Sequence, residues 1–407
     1  MQTPIIFQTS KIPQKNLQPQ TAPLKMKKIF HISGTTLPGG GPEHIYQLIK
    51  HLNHNDLEFI LCTTKDGSYW KKFNSLGIKM YNLALRKPSF RELFKLFSIL
   101  RKEKPDLIHT HGKGPGLYGR TIAKILNIPV VHTFHGFHYE DLSVFTRSIH
   151  LTVEFFLALI TAQHIFVSAG EKNRARIMRV LDEENSTIIH NGVDYDYIHN
   201  LPITRNKALK SIDCIDWEKK SIIGTISRIS PEKGVLNLLS AFYQIIQDMP
   251  DLRLIIVGGH PKEHTKYYLD IVKFLEKKQL TEHVRILGYI QDAHKLLKSM
   301  DIYVSASLSE GLPISILEAI ASKTPIVATE ITGNKDILRN SVYGMLVEPN
   351  SPQSLAKGIT KMIQLTKKEQ DTMVENAYNR IKNHFSISEM TQKTRLLYNQ
   401  VLNKKTS

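Results

Sequence analysis

The sequence predicts an α/β protein made of two doubly wound, Rossmann-like parallel units, and three observations carry that reading. First, short apolar runs rich in β-branched residues (Lys28–Ser33, Leu57–Thr63, Leu107–Thr110, Val130–Thr133, His164–Ser168, Thr187–His190) alternate with helical patterns (Glu43–Leu52, Phe90–Lys102, Leu117–Leu126). Such alternation marks βαβ crossovers and a parallel sheet. Second, the pattern restarts after a charged stretch, Arg205 to Lys220, with runs at Ser221–Ser227, Arg253–Val257, Val284–Leu287, Ile302–Ser305, Pro325–Ala328 and Gly344–Val347. Third, 407 residues with 41% hydrophobic and 22% charged content suit a globular chain. At about 100–200 residues per domain that length gives two to three domains.

Taken in order, residues 1–25 are rich in Gln, Pro, Thr and Lys without a continuous apolar stretch, and are expected to form a disordered extension rather than a signal peptide. Residues 26–200 are the first unit, 201–220 an interdomain link, 221–385 the second unit, and 386–407 a closing helix. Pro38-Gly-Gly-Gly-Pro42 follows the first strand and precedes a helix, where glycine lets the backbone approach a neighbour closely. Leu151 to Ala169 is the most hydrophobic window, but Glu154, Gln163 and His164 interrupt it. A span needs about 20 mostly apolar residues, so a buried helix followed by a strand is expected there. Cys62 and Cys214 lie far apart without metal-ligand spacing, which argues against a disulfide framework and for a reducing compartment.

Two motifs carry chemistry. In Glu310-Gly-Leu-Pro-Ile-Ser-Ile-Leu-Glu318 one acid stands in a loop and the other in the helix that follows. Glu310 precedes the expected helix start, where the N–H groups of Gly311 and Leu312 would favour an anion. Glu318 lies among apolar neighbours, and a buried carboxylate is costly unless it holds something. The bland alternative is a helix-start acid plus a core salt bridge. Upstream, Arg228-Ile-Ser-Pro-Glu-Lys233 follows the Ser221–Ser227 strand. A guanidinium fork and a compact ammonium at the carboxyl edge of a sheet suit a diphosphate. The alternative is a pair of solvated cations.

With Leu252–Gly258, Val284–Gly288, Ser307–Pro313, Thr324–Ala328 and Gly344–Val347 in this order, and Ile108–His111, Val131–Gly136 and His190–Asp194 before them, the chain resembles the retaining glycosyltransferases of family 4 over roughly residues 27 to 360. The resemblance implies a GT-B fold, with the active site in the cleft between the two units. It implies Glu310 and His135 at the donor sugar, and Arg228, Lys233, Gly311, Leu312, Gly40 and Gly41 around the donor diphosphate. Glu318 would hold the ribose, Tyr289 and Ile290 would meet the base, and His111 and Lys113 would line the acceptor side. The closing helix, Ile387 to Leu402, resembles the one that crosses back to the first domain. Two departures stand out: Gly258-Gly-His-Pro261, where Gly-Asp-Gly-Pro is frequent, and Gly333-Asn-Lys-Asp336, where Gly-Gly-x-x-Glu is common.

The implied reaction moves a sugar, most often uridine-linked in this family, to a glycan or lipid-linked acceptor, as in lipopolysaccharide or capsule synthesis. It needs no metal and no cofactor. His109, His111, His132, His135 and His138 raise the question of zinc, but no Cys, Asp or Glu completes a recognisable ligand spacing. His109 and His132 are expected to be packed strand residues. A net charge of +17 and a pI near 9.6 make nucleic acid a candidate partner, yet the cations are scattered and no nucleic-acid module is visible. An anionic membrane is the other candidate, through the basic helix Phe90–Lys104 of a cytoplasmic, peripheral protein; a plain solvated helix is the alternative. A sugar-nucleotide epimerase of the same fold, or a non-catalytic scaffold, remains a competing reading.

Overall fold

The computed structural model describes residues 26–52, 56–136, 143–180 and 183–404. The extension expected over residues 1–25, and His138 with its acidic neighbours Glu140 and Asp141, lie outside them. Seven strands form the first sheet: β1 (Lys27–Ile32), β2 (Leu57–Thr63), β3 (Lys79–Asn82), β4 (Leu107–His111), β5 (Val130–Phe134), β6 (Gln163–Phe166) and β7 (Ser186–Ile188). Six form the second: β8 (Ser221–Ile226), β9 (Leu252–Val257), β10 (Val284–Ile286), β11 (Ile302–Ser305), β12 (Ile326–Thr329) and β13 (Met345–Val347).

Helices α1 (Gly40–His51), α2 (Tyr69–Asn74), α3 (Phe90–Glu103), α4 (Lys113–Ile125), α5 (Val144–Leu159) and α6 (Ala169–Ile177) connect the first set. After α7 (Tyr195–His199) and α8 (Arg205–Lys210) come α9 (Val235–Ile246), α10 (Thr265–Lys277), α11 (Ile314–Ala321), α12 (Thr332–Leu338) and α13 (Pro352–Gln364). The chain closes with α14 (Lys367–His384) and α15 (Ile387–Lys404).

Both sheets are wholly parallel, in the orders β3-β2-β1-β4-β5-β6-β7 and β10-β9-β8-β11-β12-β13. The strand order therefore reverses between β1 and β4 and again between β8 and β11. Ligands of open α/β sheets bind outside the strands' carboxyl ends at such switch points. Central strands such as Phe59–Cys62 and Leu254–Val257 are buried on both faces, which is why they read as continuous apolar runs.

Several elements differ from expectation. β3 was not anticipated: Lys-Met-Tyr-Asn is a short, half-exposed edge strand with little apolar signal. The charged stretch 201–220 is folded, with Leu209, Cys214 and Trp217 buried in the core of the second sheet. Pro313 is extended and Ile314 opens α11, so Gly311 and Leu312 belong to a buried loop and are not first-turn residues.

The largest correction concerns α5. A buried helix was expected, yet it buries only Glu154, Leu157 and Ala158, while Val144, Phe145, Ile149, Val153, Phe155, Phe156 and Leu159 are exposed. It covers a small cluster around Phe134 and Phe166, too narrow to take an apolar surface that runs round the whole helix. No helix among the described residues is long and apolar enough to cross a membrane.

α15 packs on α1 and sends Met390, Leu397, Tyr398, Val401 and Leu402 into the core of the first sheet. The end of the chain thus completes the unit that its beginning started.

Candidate active site

Lys233 lies in a short turn after β8, and its ammonium is 2.5 Å from the Glu310 carboxylate in the loop after β11. The Ser307 hydroxyl donates to the same carboxylate oxygen at 2.8 Å. Both side chains are mostly covered, so the pair is weakly screened. Gly234 permits the approach of the two loops: it has φ of 63°, and a Cβ there would stand 2.1 Å from the Ala306 carbonyl oxygen. Arg228, at the head of the same motif, is about half exposed and reaches Glu232 at 3.4 Å. It flanks the pair without touching it.

The other unit closes over this edge. A Cβ on Gly311 would stand 2.7 Å from the His135 carbonyl oxygen, just after β5. A Cβ on Gly41 would stand 3.8 Å from the His135 ring, and one on Gly40 3.9 Å from Ile314. Glu310, Lys233, Gly311, His135 and the glycine loop are therefore one assembly, built from the carboxyl ends of β1, β5, β8 and β11. The Gly333–Asp336 departure borders it: a Cβ on Gly333 would meet the Gly311 carbonyl at 2.5 Å, and Asp336 accepts from the Gly170 N–H of the first unit at 3.1 Å.

Glu318, on α11, lies within electrostatic reach of Glu43 on α1. Burial raises its carboxyl from the ordinary value of 4.5 to about 8, and the negative charges of Glu43 and Asp292 push the same way while Lys72 opposes them. Glu43 accepts from the Tyr69 hydroxyl, and Lys72 stands 3.8 Å from Asp292. Tyr289 is half exposed, and its hydroxyl accepts from Ser68 at 2.9 Å across the two units. Beside it, Gly258, Gly259, His260, Tyr268 and Gly288 line a cavity of about 300 Å³. In the Gly258–Pro261 departure Gly258 still has a φ of 147°, and a Cβ on it would stand 1.8 Å from the Ser227 carbonyl. Ile290 is partly buried against the core of the second sheet.

Under His135 lies a buried group of imidazoles. His111 Nδ1 is 3.1 Å from His135 Nε2, and His111 Nε2 is 3.0 Å from His31 Nδ1. His44 meets the Asn191 side-chain oxygen at 3.0 Å, and Asn191 donates to the Leu312 carbonyl at 2.8 Å. Burial holds His31 down at about 3, His44 at about 4, and His109, His111 and His135 well below the usual imidazole range.

His111, expected on the acceptor side, is buried with both ring nitrogens used inside the protein, so it reaches the cleft through His135. Lys113 is exposed at the start of α4. His109 bonds Tyr398 and Thr133, and His132 bonds Thr110, as packed strand residues do.

Two trios, His31–His109–His111 and His44–His111–His135, bring ring nitrogens within 4.8 Å of one another. Spacings of 3.0 and 3.1 Å fit N–H···N bonds, whereas two nitrogens at about 2.0–2.1 Å from a tetrahedral metal would stand farther apart. We therefore read the group as hydrogen-bonded. Sequence reasoning missed Glu43, His31, His44, Asn191 and Tyr398. Glu43 and His44 follow the glycine loop and Asn191 lies in the His190–Asp194 motif, but His31 and Tyr398 had no local signal.

Two open parallel sheets, with an acid–lysine pair and a glycine loop meeting at their carboxyl edges, define the GT-B class of transferase. The family model for Glycosyltransferase Family 4 matches residues 38–197, and that for Glycosyl transferases group 1 matches residues 215–380. An Escherichia coli UDP-Gal:α-D-GlcNAc-diphosphoundecaprenol α-1,3-galactosyltransferase is 31% identical over 79% of this chain and 82% of its own. One component of the human phosphatidylinositol N-acetylglucosaminyltransferase is 27% identical over 89% and 73%. A crystal structure of Anabaena HepE with UDP and glucose superposes with a TM-score of 0.81 at 20% identity, covering 92% of this chain and all of that one. The chain belongs to the family 4, group 1 glycosyltransferases.

Proposed function

We propose that this glycosyltransferase moves a hexosyl or N-acetylhexosaminyl group from a UDP-sugar to a lipid-linked acceptor, with retention of configuration. The setting would be surface polysaccharide synthesis at the cytoplasmic face of an anionic membrane. The observation that carries the reading is the Glu310–Lys233 pair, held by Ser307 and lying against the His135 backbone where both sheets present their carboxyl edges. Donor and acceptor classes follow the two curated relatives, whose names place their acceptors on diphosphoundecaprenol and phosphatidylinositol.

In this reading Lys233 stands between the Glu310 carboxylate and the donor diphosphate, and shields each negative group from the other. Arg228 and the Gly40–Gly41 and Gly311–Leu312 backbone add donors where charge develops on the leaving group. Glu310 accepts from the sugar hydroxyls, Glu318 from the ribose, and Tyr289 with Ile290 borders the base. The anomeric carbon–phosphate oxygen bond breaks as the acceptor oxygen bonds the same face. The acceptor's proton passes to the departing phosphate oxygen.

The test is nucleotide release from UDP-sugars with and without a polyprenyl-diphosphate-linked GlcNAc acceptor, run with and without EDTA. Acceptor-dependent UDP release that survives EDTA supports the proposal. Release abolished by EDTA and restored by a divalent ion would overturn its metal independence. Interconversion of the sugar nucleotide without acceptor would make the protein an epimerase.

A further inference from the structure

We propose that Tyr398, on the C-terminal helix, is a positioning residue for His135: it sets the direction of a buried imidazole chain so that His135 turns a lone pair, not a proton, toward the donor sugar. The inference rests on the reading that His135 faces the donor, and it adds a distant residue that controls what His135 offers.

The chain runs from α15 to the cleft. Tyr398 is fully buried, with its hydroxyl oxygen 2.6 Å from His109 Nδ1 and 3.5 Å from His31 Nε2. His31 and His109 are register partners on β1 and β4, which is why one hydroxyl serves both. From His31 the contacts continue to His111 at 3.0 Å and to His135 at 3.1 Å. Each of these rings is neutral, because burial disfavours the charged form. A neutral imidazole carries one N–H and one lone pair, so fixing the direction of one bond fixes every bond after it.

Tyr398 fixes the first. Its single proton goes to the nearer nitrogen, His109 Nδ1, and His109 Nε2–H then donates to Thr133 Oγ1 at 2.7 Å. The phenol oxygen is left as an acceptor, and the remaining neighbour, His31, presents Nε2–H to it. His31 Nδ1 must then accept from His111 Nε2–H, and His111 Nδ1 from His135 Nε2–H. The ring nitrogen left over on His135, Nδ1, bears a lone pair, able to accept from a sugar hydroxyl. Reversed, the same chain would present an N–H there.

The experiment uses the full chain with nitrogen-15-labelled histidine, read by long-range proton–nitrogen correlation, with His135 assigned from the H135Q difference. The wild type should show His135 in the Nε2–H form. Tyr398→Phe keeps the ring and removes the hydroxyl, and should mix or reverse the His135 tautomer. It should lower kcat up to about tenfold, the order of one hydrogen bond, with KM for the donor nearly unchanged. Thr133→Val removes the acceptor of His109 Nε2–H and favours the other His109 tautomer, so it should disturb the His135 tautomer in the same direction as Tyr398→Phe.

An Nδ1–H form of His135 in the wild type, or an unchanged tautomer in Y398F, would overturn the proposal. So would a stoichiometric bound metal lost in H31Q. The ligand-free spectra judge the chain itself. If the tautomer shifts in Y398F while the wild type shows no transferase activity, the functional reading has failed and the chain has not.

Discussion

Replacing Glu310 by glutamine preserves the side chain's shape and removes the charge that holds Lys233 at 2.5 Å. We expect kcat to fall by about a hundredfold or more, as when a preorganised electrostatic contact is lost, with KM for the donor changed only a few-fold. A KM effect alone would reassign Glu310 to ground-state binding. Glu318→Gln should do the reverse and act mainly on KM. Its second consequence is a pH dependence of stability. The Glu318 carboxyl titrates near 8 in the folded protein against an ordinary 4.5. Between those values the folded chain keeps a proton that the unfolded chain has lost, so stability falls as pH rises through that window. Glutamine has no proton to lose. The melting temperature of Glu318→Gln relative to wild type should therefore rise from pH 5 to pH 8, and parallel curves would show that the site is more hydrated than its burial implies.

Among the elements, α5 shows best what the sequence could and could not disclose. Its helical character was legible from composition, but its facing was not, because an all-round apolar helix is compatible with burial or with an unpartnered surface. What fixes it is a buried ion pair, Arg120 of α4 with Glu154 of α5 at 2.6 Å. Glu154 looked merely like an interruption of an apolar run. Glu154→Ala leaves a fully buried guanidinium without its partner and should cost about 3–5 kcal/mol in chemical denaturation. Arg120→Met with Glu154→Leu should recover most of that loss; failure to do so would mean the pair also organises α4. The strands were legible for the opposite reason: buried on both faces, they announce themselves as apolar runs, and their motifs sit at their ends. The histidine group was legible only in part: His109, His111 and His135 stood out in the sequence, but His31 and Tyr398 join them only through strand pairing and a helix contributed from the other end of the chain.

At the scale of the whole molecule, one side of the first unit combines exposed aromatic rings with cations, which the proposed function would use at a membrane. α3, α4 and α5 lie in a row against the first sheet. Phe90 and Phe94 of α3 and Phe145 and Phe156 of α5 project outward, each more than 60% exposed. Around them α3 carries Arg91, Lys95, Arg101 and Lys102, while Glu103 is turned inward to Lys28 and Lys79. Cations beside exposed aromatic rings suit an anionic bilayer, where each cation adds about 1 kcal/mol and each buried phenylalanine about 1.5–3 kcal/mol. The cleft residue His135 directly follows β5, and α5 is the next helix along the chain. Under the proposed function, an acceptor carried on a lipid would arrive at a protein held on the same surface. We expect the protein to cosediment with vesicles containing phosphatidylglycerol but not with neutral ones, and less as salt rises. Phe145→Ser with Phe156→Ser should weaken that binding about a hundredfold and lower turnover of a long-chain lipid acceptor. Turnover of a short-chain, water-soluble acceptor should stay unchanged, because the substitutions lie outside the cleft. Equal losses on both acceptors would place α5 in the structure of the catalytic site and not at a membrane.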